Sequence, residues 1–445
     1  MRRGAFLALS AVLLAGVSAC DVDELLEVDD PDIVTPDVLT GPTGLETLRA
    51  GAIGDFAFAY AGNGGGTEGQ VLVSGMFTDE YIHSGTFTTR REFDRRDIRD
   101  DNGTATGVFG DLQRARQALE TAAGRIQEAG GDERVGELLA MASASYNMFG
   151  ENYCSGVPFS SLDESGNLVP GEPRTTEEIF QLAVTRADEA IAGAAGNEVY
   201  ANLAAIQKGR ALLNLGRYSE AAAAVGSVPT DYLFQLTYSI ANGQENGIYA
   251  FNATFERWSL ANEEGGTGLA YRDANDPRVP WNMEDEGGCP DQPESITDCG
   301  FDEVTPQWNM LKYPARDAPA DLATGTEARL IEAEAALQAG DPATMINRIN
   351  EVRAFFGLEP VTDPGDEASR VDLLFEERAF TLFATSHRLG DLRRLIRQYG
   401  RTEDEVFPTG QYETGDATYG DDVNLPVPFD EENNPNFTGC LNREA

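Results

Sequence analysis

The chain has 445 residues, with 75 Asp and Glu against 33 Lys and Arg, giving a formal net charge of −42. A surface this acidic repels phosphate backbones and anionic lipid faces within a Debye length of about 10 Å, which argues against nucleic acid as a partner. An apolar content of 41% with 9% aromatics supplies a large core and excludes wholesale disorder.

Met1, Arg2 and Arg3 form a basic head, and the apolar run 5–17 has the length of a signal-peptide core, short for a bilayer span. It ends in Val17-Ser18-Ala19-Cys20, which resembles a lipobox, so residues 1–19 are expected to be an export signal and Cys20 the lipid attachment site. Residues 20–40 follow as an acidic tether, Asp21-Val22-Asp23-Glu24-Leu25-Leu26-Glu27 at its start, too charged to fold on itself. It is similar to the acidic stretch that sends some lipoproteins to the outer face of a Gram-negative outer membrane. The rest, 41–445, is expected to be one body.

Along that body, Leu112, Ala115, Leu119, Ala122 and Ile126 recur at three- and four-residue steps and predict a helix over 109–126. A second helix is predicted over 135–149, and the pattern breaks at 150–157. Thr175 or Thr176 before Glu177 and Glu178 reads as an N-terminal cap opening a helix to about residue 194. Helices over 202–215 and 218–225 follow. The run from Gly209 to Ala221 resembles the tetratricopeptide pattern, in which small residues let two helices pack closely. A weaker second copy places Leu330, Ala333 and Leu337 on one face; Gly340 stops that helix, and Asp341-Pro342 opens the next, striped by Met345, Ile349, Val352 and Phe356. One long helix is predicted over 371–399, and no helix over 401–445.

The expected fold class is therefore all-α dominated: tetratricopeptide-like helix pairs, an α-α superhelix, over about 105–230 and 325–400. An irregular, loop-rich lobe is inserted at about 230–320. That lobe holds all three tryptophans. Trp258, Tyr271, Trp281 and Trp308 are the candidate ligand-binding residues, because flat aromatic faces cover the apolar faces of neutral rings while amides and acids fix hydroxyls. Asn252, Asn282 and Asp285 are their candidate polar neighbours.

If Cys20 carries lipid, four cysteines remain, and four permit three pairings. Cys289 and Cys299 bracket a loop rich in Pro, Asp and Gly, which favours a local bridge and leaves Cys154 with Cys440 to pin the C-terminus. No catalytic residue, metal ligand set or cofactor motif stands out. The loop Gly62-Asn63-Gly64-Gly65-Gly66 lacks a phosphate-binding Lys, and His83 and His387, the only histidines, are too few for a metal site or a nucleophile triad. His387 is expected to be a packing residue. Carboxylates are too numerous for a pair to single out a glycosidase.

Several stretches in series resemble the RagB/SusD family of nutrient-binding outer-membrane lipoproteins. They are the lipobox with Leu25-Leu26-Glu27-Val28; Tyr146-Asn147-Met148-Phe149-Gly150 with Gly156-Val157-Pro158-Phe159; and Asp276-Pro277-Arg278 with Lys312-Tyr313. Glu377-Arg378, Arg388, Asp391 and Arg394 follow, and then Leu425-Pro426-Val427-Pro428 with Asn434-Pro435-Asn436. Thr381, Thr385, Ser386 and Leu389-Gly390 depart from the family's pattern. The resemblance implies a surface-exposed binding protein with no enzymatic activity. It would capture oligosaccharide and deliver it to a SusC-like TonB-dependent transporter, with peptide as the alternative ligand and a secreted glycoside hydrolase as the remoter one. The charges of the 371–399 segment are expected to serve the scaffold, since charged side chains are seldom buried unpaired.

Overall fold

In the computed structural model the described residues are 41–163, 167–290, 292–412 and 417–445. The expected signal, Cys20 and the tether lie outside them. Among the described residues no helix is long and apolar enough to cross a membrane.

Helix α1 (Pro42–Ala61) opens with a proline in its first turn, where the missing N–H costs nothing, and lies along α4 (Gly103–Glu128). Between them come α2 (Gln70–Phe77), the short strand β1 (Tyr81–His83) and α3 (Thr88–Asp94). All eight residues of α2 are buried, so it has no polar face and no apolar stripe for a sequence reading to find. α4 starts at Asn102, whose side chain accepts from the Ala105 N–H, and α5 (Arg134–Asn152) packs against it. Two small ladders follow: β2 (Val157–Pro158) with β5 (Pro173–Arg174), and β3 (Ser161–Leu162) with β4 (Leu168–Val169).

Helix α6 (Thr176–Gly193) begins at Thr175 with a reciprocal capping box to Glu178, as the Thr-x-x-Glu spacing predicts. The first repeat pair is α7 (Glu198–Asn214) and α8 (Tyr218–Val225), turned by Gly216 at φ 68°. Gly209 lies inside α7, where a methyl group would press into the Val225 and Ile331 side chains; its lack of a side chain sets the close approach of three helices. The second pair is α10 (Gly325–Gln338) and α11 (Pro342–Phe355), with Asp341 capping Thr344.

The intervening lobe holds the short α9 (Gly247–Tyr249), continued by a π turn over Ala250–Thr254, a 3-10 turn at Glu264–Gly266, and extended pieces stitched to the body. β6 (Leu233–Leu236) pairs with β10 (Ala320–Thr324), β7 (Trp258–Leu260) with β1, and β8 (Trp281–Asn282) with β9 (Asn309–Met310), all antiparallel. Disulfides join Cys154 to Cys440 and Cys289 to Cys299, with Cα separations of 5.9 and 5.0 Å.

The long helix expected over 371–399 is two helices, α12 (Glu367–Thr381) and α13 (Arg388–Tyr399). Between them Ala384 and Ser386 take left-handed backbone angles, φ 56° and 60°. The backbone groups released by the break are taken up by side chains from distant segments. Lys312 Nζ donates to the Phe383 carbonyl at 2.7 Å, Tyr313 Oη to Ala384 at 3.2 Å, Tyr60 Oη to Thr385 at 3.2 Å and Arg210 to Ser386 at 2.9 Å. The Ala384 N–H donates to Glu80 at 3.0 Å. The tail also differs from expectation: Thr402 and Glu405 form a capping box around a short helix, α14 (Glu403–Val406), and a 3-10 turn spans Phe429–Asn433.

Glu377, Arg378, Arg388, Asp391 and Arg394 of α12 and α13 are buried and paired. Arg378 grips Asp391 at 2.8 and 2.9 Å, Arg394 bridges Asp391 and Glu334 at 2.7 and 2.6 Å, and Arg388 holds Asp79 at 2.6 and 2.8 Å. Arg278 joins Asp276 to Glu377, tying the lobe to α12. His387 is a packing residue, its Nε2 3.0 Å from buried Glu327.

Candidate ligand-binding surface

The β1–β7 ladder sets His83 opposite Trp258 and continues as the Ser84 N–H donates to the Arg257 carbonyl at 3.0 Å. A polar frame then fixes the returning segment 305–310. Asn252 Nδ2 donates to the Trp258 carbonyl at 2.6 Å and its Oδ1 accepts from the Met310 N–H at 2.7 Å. Gln307 Nε2 donates to the carbonyls of Asn252 and Trp258 at 2.8 and 3.0 Å, and Ser259 Oγ to Pro306 at 2.7 Å. With its donors and acceptors met inside the fold, Asn252 is a framing residue with no free group for ligand.

Two of the four candidate aromatics are corrected by burial. Trp258 is 0% exposed, edge-on to Tyr81 and Phe251 at 6.1 and 5.9 Å. Tyr271 is likewise 0% exposed, between Phe380 and Phe383 at 5.3 and 5.1 Å. Both fill the core where the lobe meets the body and present no ring face outward.

Trp281 and Trp308 are brought together at the partly exposed edge. Their rings meet at 5.2 Å and 82°, the Arg272 guanidinium lies 4.0 Å over Trp308, and Trp281 Nε1 donates to the Arg272 carbonyl at 3.2 Å. Asn282 sits beside Trp281 on β8, exposed. Asp285 is not part of this group; it borders a hollow of about 550 Å³ in the loop closed by Cys289 and Cys299.

At the other end of the 300–310 segment lies a second aromatic group. Phe87, Phe255 and Phe301 surround the Arg257 guanidinium at 5.5, 5.3 and 4.7 Å. Arg90 lies over Phe87 at 4.5 Å and Phe251 at 4.9 Å. Phe87 and Phe301 are each 51% exposed, large apolar surface to leave open. Beside them a groove of about 350 Å³ is lined by Gly66, Glu68, Phe87, Thr89, Arg90 and Thr104. The glycine loop 62–66 forms part of its wall, pinned where Arg90 donates to the Gly66 carbonyl at 3.1 Å. Burial pushes the Glu68 carboxyl up, against the pull of its ion-pair partner Arg90.

Under this surface His83 is 2% exposed, with neither ring nitrogen partnered among the described residues. Burial, then the charges of Arg91, Arg90 and Arg257, push it down to about 3, so it is neutral near pH 7. Sequence reading missed Phe87, Phe255, Phe301 and this arginine group. Phe301 could have been flagged, since it stands two residues after Cys299 in the lobe; Phe87 lies in a stretch without motif or period.

A hollow of about 640 Å³ lies between α8, α10 and α11, but its charges already serve one another: Arg217 pairs with Glu220 at 2.6 Å, and Arg348 with Glu332 at 3.0 Å. Among the described residues no group of three or more His, Cys, Asp or Glu is placed to hold a metal ion. The arrangement fits binding: aromatic faces, amides and guanidinium groups at an open edge.

Residues 326–436 match the SusD family. No curated protein matches the chain in sequence. Among solved structures, the chain is similar to a SusD-like protein of Bacteroides fragilis (TM-score 0.66, 14% identity, covering 95% of this chain and 100% of that one). It is similar also to a SusD superfamily protein of Bacteroides thetaiotaomicron (TM-score 0.65, 14% identity, 89% and 99% covered). A third is a SusD-like carbohydrate binding protein of Bacteroides vulgatus (TM-score 0.56, 13% identity, 79% and 82% covered).

Proposed function

We propose that this chain, a SusD/RagB protein in its matched segment and in its fold, is a surface binding protein that captures an oligosaccharide for uptake. In this reading Cys20 carries the lipid that anchors it to the outer membrane, residues 20–40 hold the body off the surface, and a SusC-like TonB-dependent transporter is the partner that receives the ligand. The observation that carries the reading is the lobe edge, where Trp281, Trp308 and Phe301 are held partly open beside a frame of buried amides and Phe87 of the body meets Phe301 over Arg257. Half-exposed rings cost solvation unless something covers them, and sugar ring faces are the chemistry they suit. The carbohydrate binding named for one structural neighbour supports the same ligand class.

Covalent chemistry has no part in this reading; Asn252, Ser259 and Gln307 hold the lobe's backbone in place. The test is to extract native membranes in mild detergent, capture this chain, and identify what accompanies it by mass spectrometry. A large TonB-dependent barrel in near-equal amount is expected. An efficient capture without one would refute the delivery role and leave a free-standing binder.

A further inference from the structure

Most arginines in this acidic chain are paired with carboxylates. Arg388 has Asp79, Arg394 has Glu334 and Asp391, and even half-exposed Arg186 has Glu120 and Glu189. With 75 acids to 33 bases, an arginine left without a carboxylate needs a reason. Arg257 and Arg91 are two such residues: neither has an ion pair or side-chain hydrogen bond among the described residues, and the Nε of each is buried without a partner. Arg90 adds a third unpartnered nitrogen, its Nη1, while its other nitrogens hold Glu68 and Gly66. Arg90 and Arg257 belong to one place, because they share the Phe87 ring, and Arg91 follows Arg90 directly on α3; the charges of all three also bear on buried His83. Like charges gathered at a partly desolvated site repel one another, and burial and Arg90 both push the Arg257 guanidinium's pKa down. The carboxylate that acts on Arg257 from nearby, Glu68, is already bound by Arg90.

We infer that the captured ligand is anionic: a uronate-bearing oligosaccharide whose carboxylate is received by Arg257 and Arg91, with Phe87 and Phe301 covering its sugar rings. This rests on the reading of the chain as a glycan-capturing protein. A planar guanidinium fork matches a carboxylate in two parallel hydrogen bonds, and an anion there would relieve the repulsion among the three arginines. A neutral sugar would leave that charge unanswered. Exposed aromatic rings beside the cations favour a ring-bearing polymer over an isolated acidic side chain.

The test uses the full-length chain in mild detergent and isothermal titration with oligogalacturonate, oligomeric alginate and glucuronoxylan fragments, each against its methyl-esterified form. At least one uronate is expected to bind about ten- to a hundred-fold more tightly than its ester, with affinity falling as salt rises. Arg257→Gln should remove most of that preference and Arg257→Lys should restore part of it; where Arg257→Gln fails to fold, Arg91→Gln and the salt titration of the unaltered chain give the same answer. Equal affinity for acid and ester, indifferent to Arg257→Gln, would overturn the inference while leaving glycan capture standing. Binding of acidic peptides with no glycan bound would overturn both.

Discussion

Asp391→Asn tests how the two helices around the backbone break are held. Asp391 takes Arg378 through both oxygens, at 2.8 and 2.9 Å, and Arg394 at 2.7 Å, while Glu334 takes Arg394 at 2.6 Å. Two guanidinium groups thus balance two carboxylates, all four side chains no more than 5% exposed. The asparagine keeps the volume but leaves one positive charge buried without compensation. Removing one partner of a buried pair costs about 3 to 5 kcal/mol. Burial alone would raise the Asp391 carboxyl, but Arg378 and Arg394 outweigh it and hold the group well below the usual carboxylate range. Its folded pKa is below its unfolded value of about 3.9, so its stabilisation is complete above that pH and is lost as pH falls through the folded value. Urea unfolding of the two proteins should therefore differ by about 3 to 5 kcal/mol at pH 7, and the gap should narrow steadily below about pH 4. A difference under about 1 kcal/mol at pH 7, or one unchanged in acid, would refute the claim that this web is what holds α12 to α13.

Two further changes probe the scaffold. Burial pushes the Glu80 carboxyl up to about 8, against the Ala384 N–H that favours its ionised form, so the folded chain holds a proton that the unfolded chain releases above about 4.5. Stability due to this group declines from about pH 4.5 to 8; Glu80→Gln should flatten the decline, raising the melting temperature relative to the unaltered chain more at pH 8 than at pH 5, and equal offsets at both would contradict the assignment. Replacing Cys154 and Cys440 together by Ser opens a loop of 286 residues and should cost about 2 to 5 kcal/mol in thermal or urea unfolding, an effect that reductant should at least match in the unaltered chain, since it also opens Cys289–Cys299.

Helices with an apolar period or a clear cap were legible in the sequence, as was α5 although 17 of its 19 residues are buried, whereas short, fully buried α2 was not. α6 declared itself through Thr175 and Glu178, and the tetratricopeptide-like pairs through small residues, of which Gly209 proves to be the point where α7, α8 and α10 meet. α2 gave no period because every residue faces protein. The break between α12 and α13 was hidden because an unbroken apolar and charged pattern runs across it, while the groups that stabilise it, Glu80, Tyr60, Lys312 and Tyr313, come from far away in the chain. Thr381, Thr385 and Ser386, which depart from the family's pattern, stand at that break. For the candidate site, residue type pointed to the right lobe but not to the right rings: Trp258 and Tyr271 are core while Trp281 and Trp308 reach the surface. Phe87 and Arg257 meet only because β1 pairs with β7 across more than 170 residues, a long-range register that no local motif announces.

The lobe edge as the ligand-holding surface is tested most directly by affinity electrophoresis of the full-length chain through native gels cast with pectin, alginate, xylan or starch. Phe301→Ala and Trp308→Ala should each abolish most of the retardation by whichever polymer slows the unaltered chain, with melting temperatures little changed because both side chains are partly exposed. Arg217→Ala, in the hollow between the helix pairs, should retain it. Retardation that survives both lobe substitutions and disappears with Arg217→Ala would contradict the account and move the ligand to the helical groove.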